Sequence, residues 1–333
     1  MHPFVLERPH DAATALALGA APDGVATAYI AGGTDLLPLL KAEVGRPERL
    51  VAVGRGALDA SIEVGADGAL RLGAAARMSD VAAHAGVSAA FPLIVQALLA
   101  SASAQIRNMA TLAGNLLQRT RCPYFRDAGS QACNKRRPGS GCAALEGSNR
   151  LHAVLGGSDH CIATHASDLA VALVALDASL LLRSRDGERR RPLDAFYRLP
   201  GDTPEIETVL APGELITAIE VPPAPAFARR SQYLKLRDRA SFEFALVSAA
   251  VALDTDGARI RQARIALGGV TTRPWRLRGV EAALAGGHAD GAAYRAAAEH
   301  AAEGAVPRRH NAFKVELLRR VLVRALETAG ARP

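Results

Sequence analysis

Apolar positions along the chain switch between two periods. In "AATALALGA" and "DLLPLLKAE" they recur at helical spacing, whereas "TAYIAGG" and "RLVAVG" are short apolar runs ending at glycines, as strands do. Residues 1–55 therefore predict a small α/β lobe. From about residue 60, turn signals take over. "SIEVGADGALRLGAAA" predicts a hairpin at Asp67-Gly68, and "FPLIVQALLASASAQIRN" predicts one helix starting near Pro92. "SDLAVALVALDASLLLRS" predicts a helix running into a strand, and "GELITAIEVP" a strand stopped by Pro222 and Pro223. The Pro-rich "VPPAPAFARR" predicts a linker. Beyond it, "EFALVSAAVALDTDGARIRQARIALGGV" predicts strands around a turn at Asp256-Gly257, and helical segments fill the rest. Hairpins mixed with helices, without regular βαβ repeats, predict an α+β fold. A chain of 333 residues exceeds one compact core, so two domains are expected.

Composition narrows the class. No apolar run reaches the roughly 18 residues of a membrane span; the best candidate, "LAVALVALDASLLL", is broken by Asp177. The N-terminal "MHPFVLERPH" lacks a basic head followed by an apolar stretch, so no export signal is expected on this chain. The net charge of +7 could suit nucleic acid, but the arginines are dispersed and aromatics make up only 4% of residues, which argues against that partner. The densest basic cluster, "RSRDGERRRP", surrounds Asp186-Gly187 and predicts a solvated hairpin tip, with an acidic partner subunit as the use for the positive balance. No G-x-S-x-G, H-E-x-x-H or phosphate-loop pattern occurs, which removes the common hydrolase and kinase classes.

Two glycine turns carry binding chemistry. "YIAGGTDLLPLLK" is a strand, two glycines and a helix. Gly32 and Gly33 can adopt backbone angles closed to other residues, and consecutive amides in such a turn favour a pyrophosphate. "QIRNMATLAGN" gathers polar residues around Gly114. Neither turn matches G-x-G-x-x-G, which argues against a Rossmann site, and two turns together suit a dinucleotide.

Cys122, Cys133, Cys142 and Cys161 are separated by ten, eight and eighteen residues, without the two-residue gap of zinc ribbons or bacterial ferredoxins. Free structural thiols, two disulfides and a four-thiolate metal or cluster site all remain open. The metal reading is favoured by Arg119, Arg121, Arg126, Lys135, Arg136 and Arg137, since nearby cations stabilise thiolates. Spacing does not choose between iron–sulfur and zinc. His152, His160 and His165 flank Cys161, but four cysteines already complete a ligand set.

Taken in order, "IAGGTDLL", "QIRNMATLAGNL", "HASDLAVALVALDA", "GELITAIEVP" and "YLKLRDRASFEFALVSAAV" resemble the FAD-binding medium subunit of the molybdenum hydroxylases, the xanthine dehydrogenase and carbon monoxide dehydrogenase group. "ARIALGGVTTRPWRLRGVEAAL" is similar to that family's C-terminal domain, and the long insertion after "AGN" resembles the flavoprotein subunit of bacterial periplasmic aldehyde oxidoreductases. The resemblance implies a two-lobed α+β FAD-binding domain over residues 1–222, with lobes of about 1–55 and 60–222 and an insertion over about 116–164. A C-terminal α+β domain with a small sheet would cover 226–333. It implies FAD held by Ile30, Ala31, Gly32, Gly33, Thr34, Asp35, Leu36 and Leu37, with Thr111, Gly114 and Asn115 as a second wall. Asp168 would bond the ribose or nearby polar groups, Ile216 would pack on the ligand, and Lys235 would lie near the isoalloxazine. It further implies a [4Fe–4S] cluster on Cys122, Cys133, Cys142 and Cys161. The expected assembly is a heterotrimer in which a molybdenum-cofactor subunit oxidises an aldehyde or xanthine-type substrate. A [2Fe–2S] subunit relays electrons, and FAD passes them to an external acceptor. Relatives can be exported folded with a signal-bearing partner, so the periplasm is the expected compartment and the cytoplasm the alternative. The competing function is a non-enzymatic assembly protein stabilised by zinc, with its glycine turns empty.

Overall fold

A computed structural model describes residues 1–21, 23–129 and 132–332; Ser130 and Gln131 of the insertion, Pro22 and Pro333 lie outside the described residues. The backbone forms three sheets. In the first, strands β1 (Val5–Glu7), β2 (Thr27–Ile30) and β3 (Arg49–Ala52) run parallel in the order β1-β3-β2. The helix Leu36–Lys41 connects β2 to β3, so the glycine turn Ala31–Asp35 stands at the carboxyl end of a parallel strand, the usual ligand position of such a unit. The apolar pattern had not revealed β1. Its Val5 and Leu6 are exposed, and it is held by its register against Arg49–Val51 rather than by burial.

The second sheet is antiparallel, with β4 (Ile62–Val64), β5 (Leu70–Gly73), β6 (Ser179–Ser184), β7 (Gly187–Pro192) and β8 (Leu215–Val221) in the order β4-β5-β8-β6-β7. One face packs into a core with the helices Pro92–Ala100 and Asp168–Ala175. The expected single helix from Pro92 is in fact two. The first ends at Ser101, Ala102 takes a φ of 53°, and Ser103 caps the helix Ala104–Arg107 by accepting from the Ile106 N–H. Serine side chains that bond nearby backbone compete with continuing helix, which explains the break.

The third sheet contains β9 (Ser231–Leu236), β10 (Val247–Asp256), β11 (Arg259–Gly268) and β12 (Trp275–Arg276), antiparallel in the order β12-β11-β10-β9. Strand alternation splits β10 between two cores. Val247, Ala249, Val251 and Leu253 join Leu318, Leu322 and Leu326 of the helix Phe313–Gly330, while Ala250 and Ala252 join the core built around Asp168–Ala175. Small residues on that second face let the two domains pack directly. The expected linker is likewise ordered: Pro225–Ala228 is a helical turn whose Phe227 is buried beneath the Arg264 guanidinium, 4.5 Å from the ring centre.

The insertion has little regular structure beyond the turn Pro123–Arg126, and its second half is stitched to the C-terminal domain. Val154 and Leu155 enter that domain's core, and the fully buried Lys314 donates through Nζ to the carbonyls of His152 (3.1 Å) and Gly269 (2.8 Å). Burial, aided by Arg150 and opposed by Asp238, pushes the Lys314 ammonium down to about 7 from its ordinary 10.5. A lysine depressed in the fold binds its proton better when unfolded, so stability should rise with pH inside that window. Relative to Lys314→Met, the wild type should gain about 1.4 kcal/mol per pH unit between about pH 7 and about pH 9, read by urea unfolding. A flat difference would mean that the lysine titrates at its ordinary value.

Candidate functional site

Two turns build one cavity of about 310 Å³ between the small lobe and the second sheet. Gly33 has a φ of 71°, which favours glycine. Gly32 is required for another reason. A Cβ there would stand 2.0 Å from the carbonyl oxygen of Met109 and 2.7 Å from its carbon, so only a bare backbone lets the first turn lie against the second. In the second turn the Thr111 hydroxyl caps the helix Leu112–Leu116, accepting from the Gly114 N–H at 3.2 Å. Ile30, Ala31, Gly32, Gly33, Thr34, Asp35, Leu36, Thr111, Gly114 and Ile216 all line the cavity, so the structure brings together most of the predicted contacts.

Four of the predicted residues stand elsewhere. Leu37 does not line the cavity; its side chain packs against Gly33. Asn115 is buried behind the wall, accepting from the Ser167 hydroxyl at 2.6 Å. Asp168 and Lys235 form a buried ion pair of 2.8 Å, and the Tyr233 hydroxyl donates to the same carboxylate at 2.7 Å. This group ties the helix Asp168–Ala175 to β9 across the domain boundary. Read without a family, Asp168 looks like a helix cap and Lys235 like a solvated strand residue. The fold corrects both, since Ser167 caps the helix and Lys235 is buried.

Sequence reasoning missed Tyr29, Leu117, Arg119 and Glu214 in the lining. Tyr29 donates its hydroxyl to the Gly213 carbonyl at 2.8 Å, closing the cavity against the start of β8. Glu214 is buried and paired at 2.7 Å through both oxygens with Arg189, so the hairpin, solvated at its tip as expected, also supplies a cation to the cavity wall. That pairing holds the Glu214 carboxyl below its ordinary range. Asp35, the other lining carboxylate, is paired with Arg121 (2.6 Å) and Arg126 (2.7 Å). Both acidic groups are thus paired with cations, and the cavity can accept a phosphate beside its turn amides. The cradle fits a dinucleotide diphosphate.

The cysteines converge although they span much of the insertion. Cys133 and Cys142 face each other in an antiparallel bridge, all four thiols are free, and all four line one small cavity. Among the described residues no three His, Cys, Asp or Glu side chains come close enough to hold a single metal ion. Four converging thiols match the donor set of either a four-thiolate zinc or an iron–sulfur cluster. Burial pushes the Cys122 thiol up to about 12 and the Cys161 thiol to about 11, with Lys135 opposing the rise at Cys161. The flanking cations also have partners other than the thiols. Arg119 and Lys135 pair with Glu207, Arg121 and Arg126 with Asp35, and Arg136 donates to the carbonyls of Tyr124 and Phe125. His152 is the histidine nearest a thiol in this network, its Nε2 lying 3.1 Å from Cys122 Sγ.

These paired cavities sit in a chain matched over residues 2–224 by the FAD binding domain of molybdopterin dehydrogenases and over 232–329 by the carbon monoxide dehydrogenase flavoprotein C-terminal domain. The chain belongs to the FAD-binding subunits of the molybdenum hydroxylase family, and it is an oxidoreductase subunit. It is 49% identical over 304 residues, 91% of either chain, to the aldehyde oxidoreductase FAD-binding subunit PaoB of Escherichia coli K12. The glyceraldehyde dehydrogenase medium chain of Sulfolobus acidocaldarius is 28% identical over 77% of this chain and 72% of its own. Among solved structures, carbon monoxide dehydrogenase from Hydrogenophaga pseudoflava superposes with a TM-score of 0.77 at 25% identity, over 99% of this chain and 98% of that one. The non-enzymatic assembly reading is thereby overturned. Among the described residues no helix is long and apolar enough to cross a membrane.

Proposed function

We propose that this chain is the FAD-binding, electron-transfer subunit of a heterotrimeric molybdenum-dependent aldehyde oxidoreductase. On this reading it receives electrons from a [2Fe–2S] partner subunit, while a molybdenum-cofactor partner oxidises the substrate. It also carries a [4Fe–4S] cluster on Cys122, Cys133, Cys142 and Cys161. The observation that carries the reading is adjacency. Leu117 and Arg119 line the flavin cavity, and Cys122, three residues beyond Arg119, lines the cysteine cavity. The 49% identity to an aldehyde oxidoreductase subunit supports the aldehyde class.

When bound, FAD supplies the two-electron chemistry between one-electron carriers and an external acceptor. The protein's share is positioning. Gly32 and Gly33 bring backbone amides to the diphosphate, the pairing of Asp35 and Glu214 with arginines removes repulsion there, and Ile216 offers an apolar surface to a ring. Export with a signal-bearing partner would place the complex in the periplasm, which cell fractionation tests directly.

The decisive experiment is anaerobic purification of the complex from its native or co-expressed subunits, followed by flavin, iron and sulfide analysis. This chain should carry one FAD and about four irons with four sulfides. FAD without that iron would remove the cluster. A flavin-free chain, or full aldehyde turnover by this chain without partners, would overturn the subunit reading itself.

A further inference from the structure

We propose that Asp35 is a positioning residue that locks the flavin turn onto the cysteine insertion, so that FAD binding and cluster retention form one coupled equilibrium. The cluster half of this rests on the function proposed above; the lock itself stands on side chains of the structure.

Asp35 is the last residue of the first glycine turn and precedes the helix Leu36–Lys41, yet its side chain makes no capping bond to that helix. Its carboxylate points to the insertion instead. One oxygen pairs with Arg121 (2.6 Å) and Arg126 (2.7 Å), and the other accepts from the Arg119 N–H at 2.8 Å. Arg126 extends the lock by donating to the carbonyls of Thr120 (2.9 Å) and Arg119 (3.1 Å). The segment that leads into Cys122 is therefore held from both sides by groups that Asp35 organises. Beneath it lies a small apolar core in which Leu39 of the helix packs with Phe125, Cys133 and Cys122. Leu39 also lines the flavin cavity, so one side chain touches both sites. A helix fixed by the flavin turn on one side and by two cysteines on the other transmits order either way, and such coupling is reciprocal.

The sign of one substitution separates this role from simple charge. Asp35→Asn removes a negative group from the cavity that receives the diphosphate. By electrostatics alone it should leave FAD binding unchanged or tighten it. By the lock it should weaken FAD about tenfold, within the usual range of coupling between sites. Arg126→Gln, a residue outside the flavin cavity, should weaken FAD by a similar factor.

The test uses the full chain with its partners, the two single variants and the double variant. FAD affinity is read by fluorescence, iron by colorimetry, and native folding by circular dichroism. Support requires weaker FAD in each single variant, loss of iron in parallel, and a double variant no weaker than about the worse single one, the mark of residues acting through one network. Unchanged or tighter FAD in Asp35→Asn, or additive losses in the double variant, would overturn the lock. If both singles fail to fold, FAD affinity in Cys133→Ser decides: a parallel loss supports the coupling and full affinity overturns it. A wild-type chain without iron would overturn the cluster reading and the iron half of this proposal, while the FAD cycle would still decide the lock.

Discussion

Gly32→Ala should weaken FAD binding by about a hundredfold, because overpacking of about 1–3 kcal/mol converts to as much as about two decades of affinity. The added Cβ would stand 2.0 Å from the Met109 carbonyl oxygen, and the atom it meets is backbone, not the yielding tip of a side chain. Relief requires the first turn to move off the second, which opens the wall where the diphosphate is held. FAD should therefore lose its thermal stabilisation of the apo-protein, which at a hundredfold excess over the dissociation constant amounts to about 2.7 kcal/mol. In wild type, FMN should stabilise much less than FAD, since it carries only one phosphate. Gly54→Ala is the matched control, as nothing lies within 4 Å of a Cβ there. Fluorescence titration gives the affinity and a thermal scan the stability. Wild-type affinity in Gly32→Ala would mean that the juxtaposed turns serve the fold alone.

Cys133→Ser should reduce iron from about four per chain to nearly none. The thiol is buried in the apolar group with Leu39 and Phe125, where a hydroxyl without a partner costs about 1–3 kcal/mol in addition to the lost ligand. In this insertion regular structure is sparse, so a bound cluster would supply folding free energy, as structural metals do. Limited proteolysis should accordingly cut the variant within residues 116–164 while the C-terminal core survives. Mass spectrometry of the anaerobically purified wild type should find four free thiols once the cluster is removed. One bound zinc, or two disulfides, would defeat the cluster and leave the flavin site standing.

Much of the site was legible because its signals are local. Gly32 and Gly33 after an apolar strand specify a turn whatever surrounds it, and the Asp256-Gly257 and Asp67-Gly68 signals each stand at the tip of an observed hairpin. The helix at Asp168–Ala175 and the strands β8 and β10 followed from apolar runs that terminate at prolines, aspartates or glycines. What failed to read depends on partners distant along the chain. The arginines near the cysteines looked like counter-charges for thiolates, but Arg126 meets an aspartate 91 residues away. Lys235 looked solvated because its acid, Asp168, lies 67 residues off in the other domain.

The sequence by itself determined the local conformations: where glycine backbone is bare enough for close approach, where strands and helices start and stop, and which residues carry thiols. These depend on steric and hydrogen-bonding preferences that act over a few residues. Only the tertiary structure decided that the four thiols face one cavity, and that Gly32 is demanded by Met109 rather than by a ligand alone. It alone paired the Asp35 carboxylate with arginines of the insertion. The physical reason is that charge pairing and close packing are set by separation in space, and the chain folds back by dozens of residues before those distances exist.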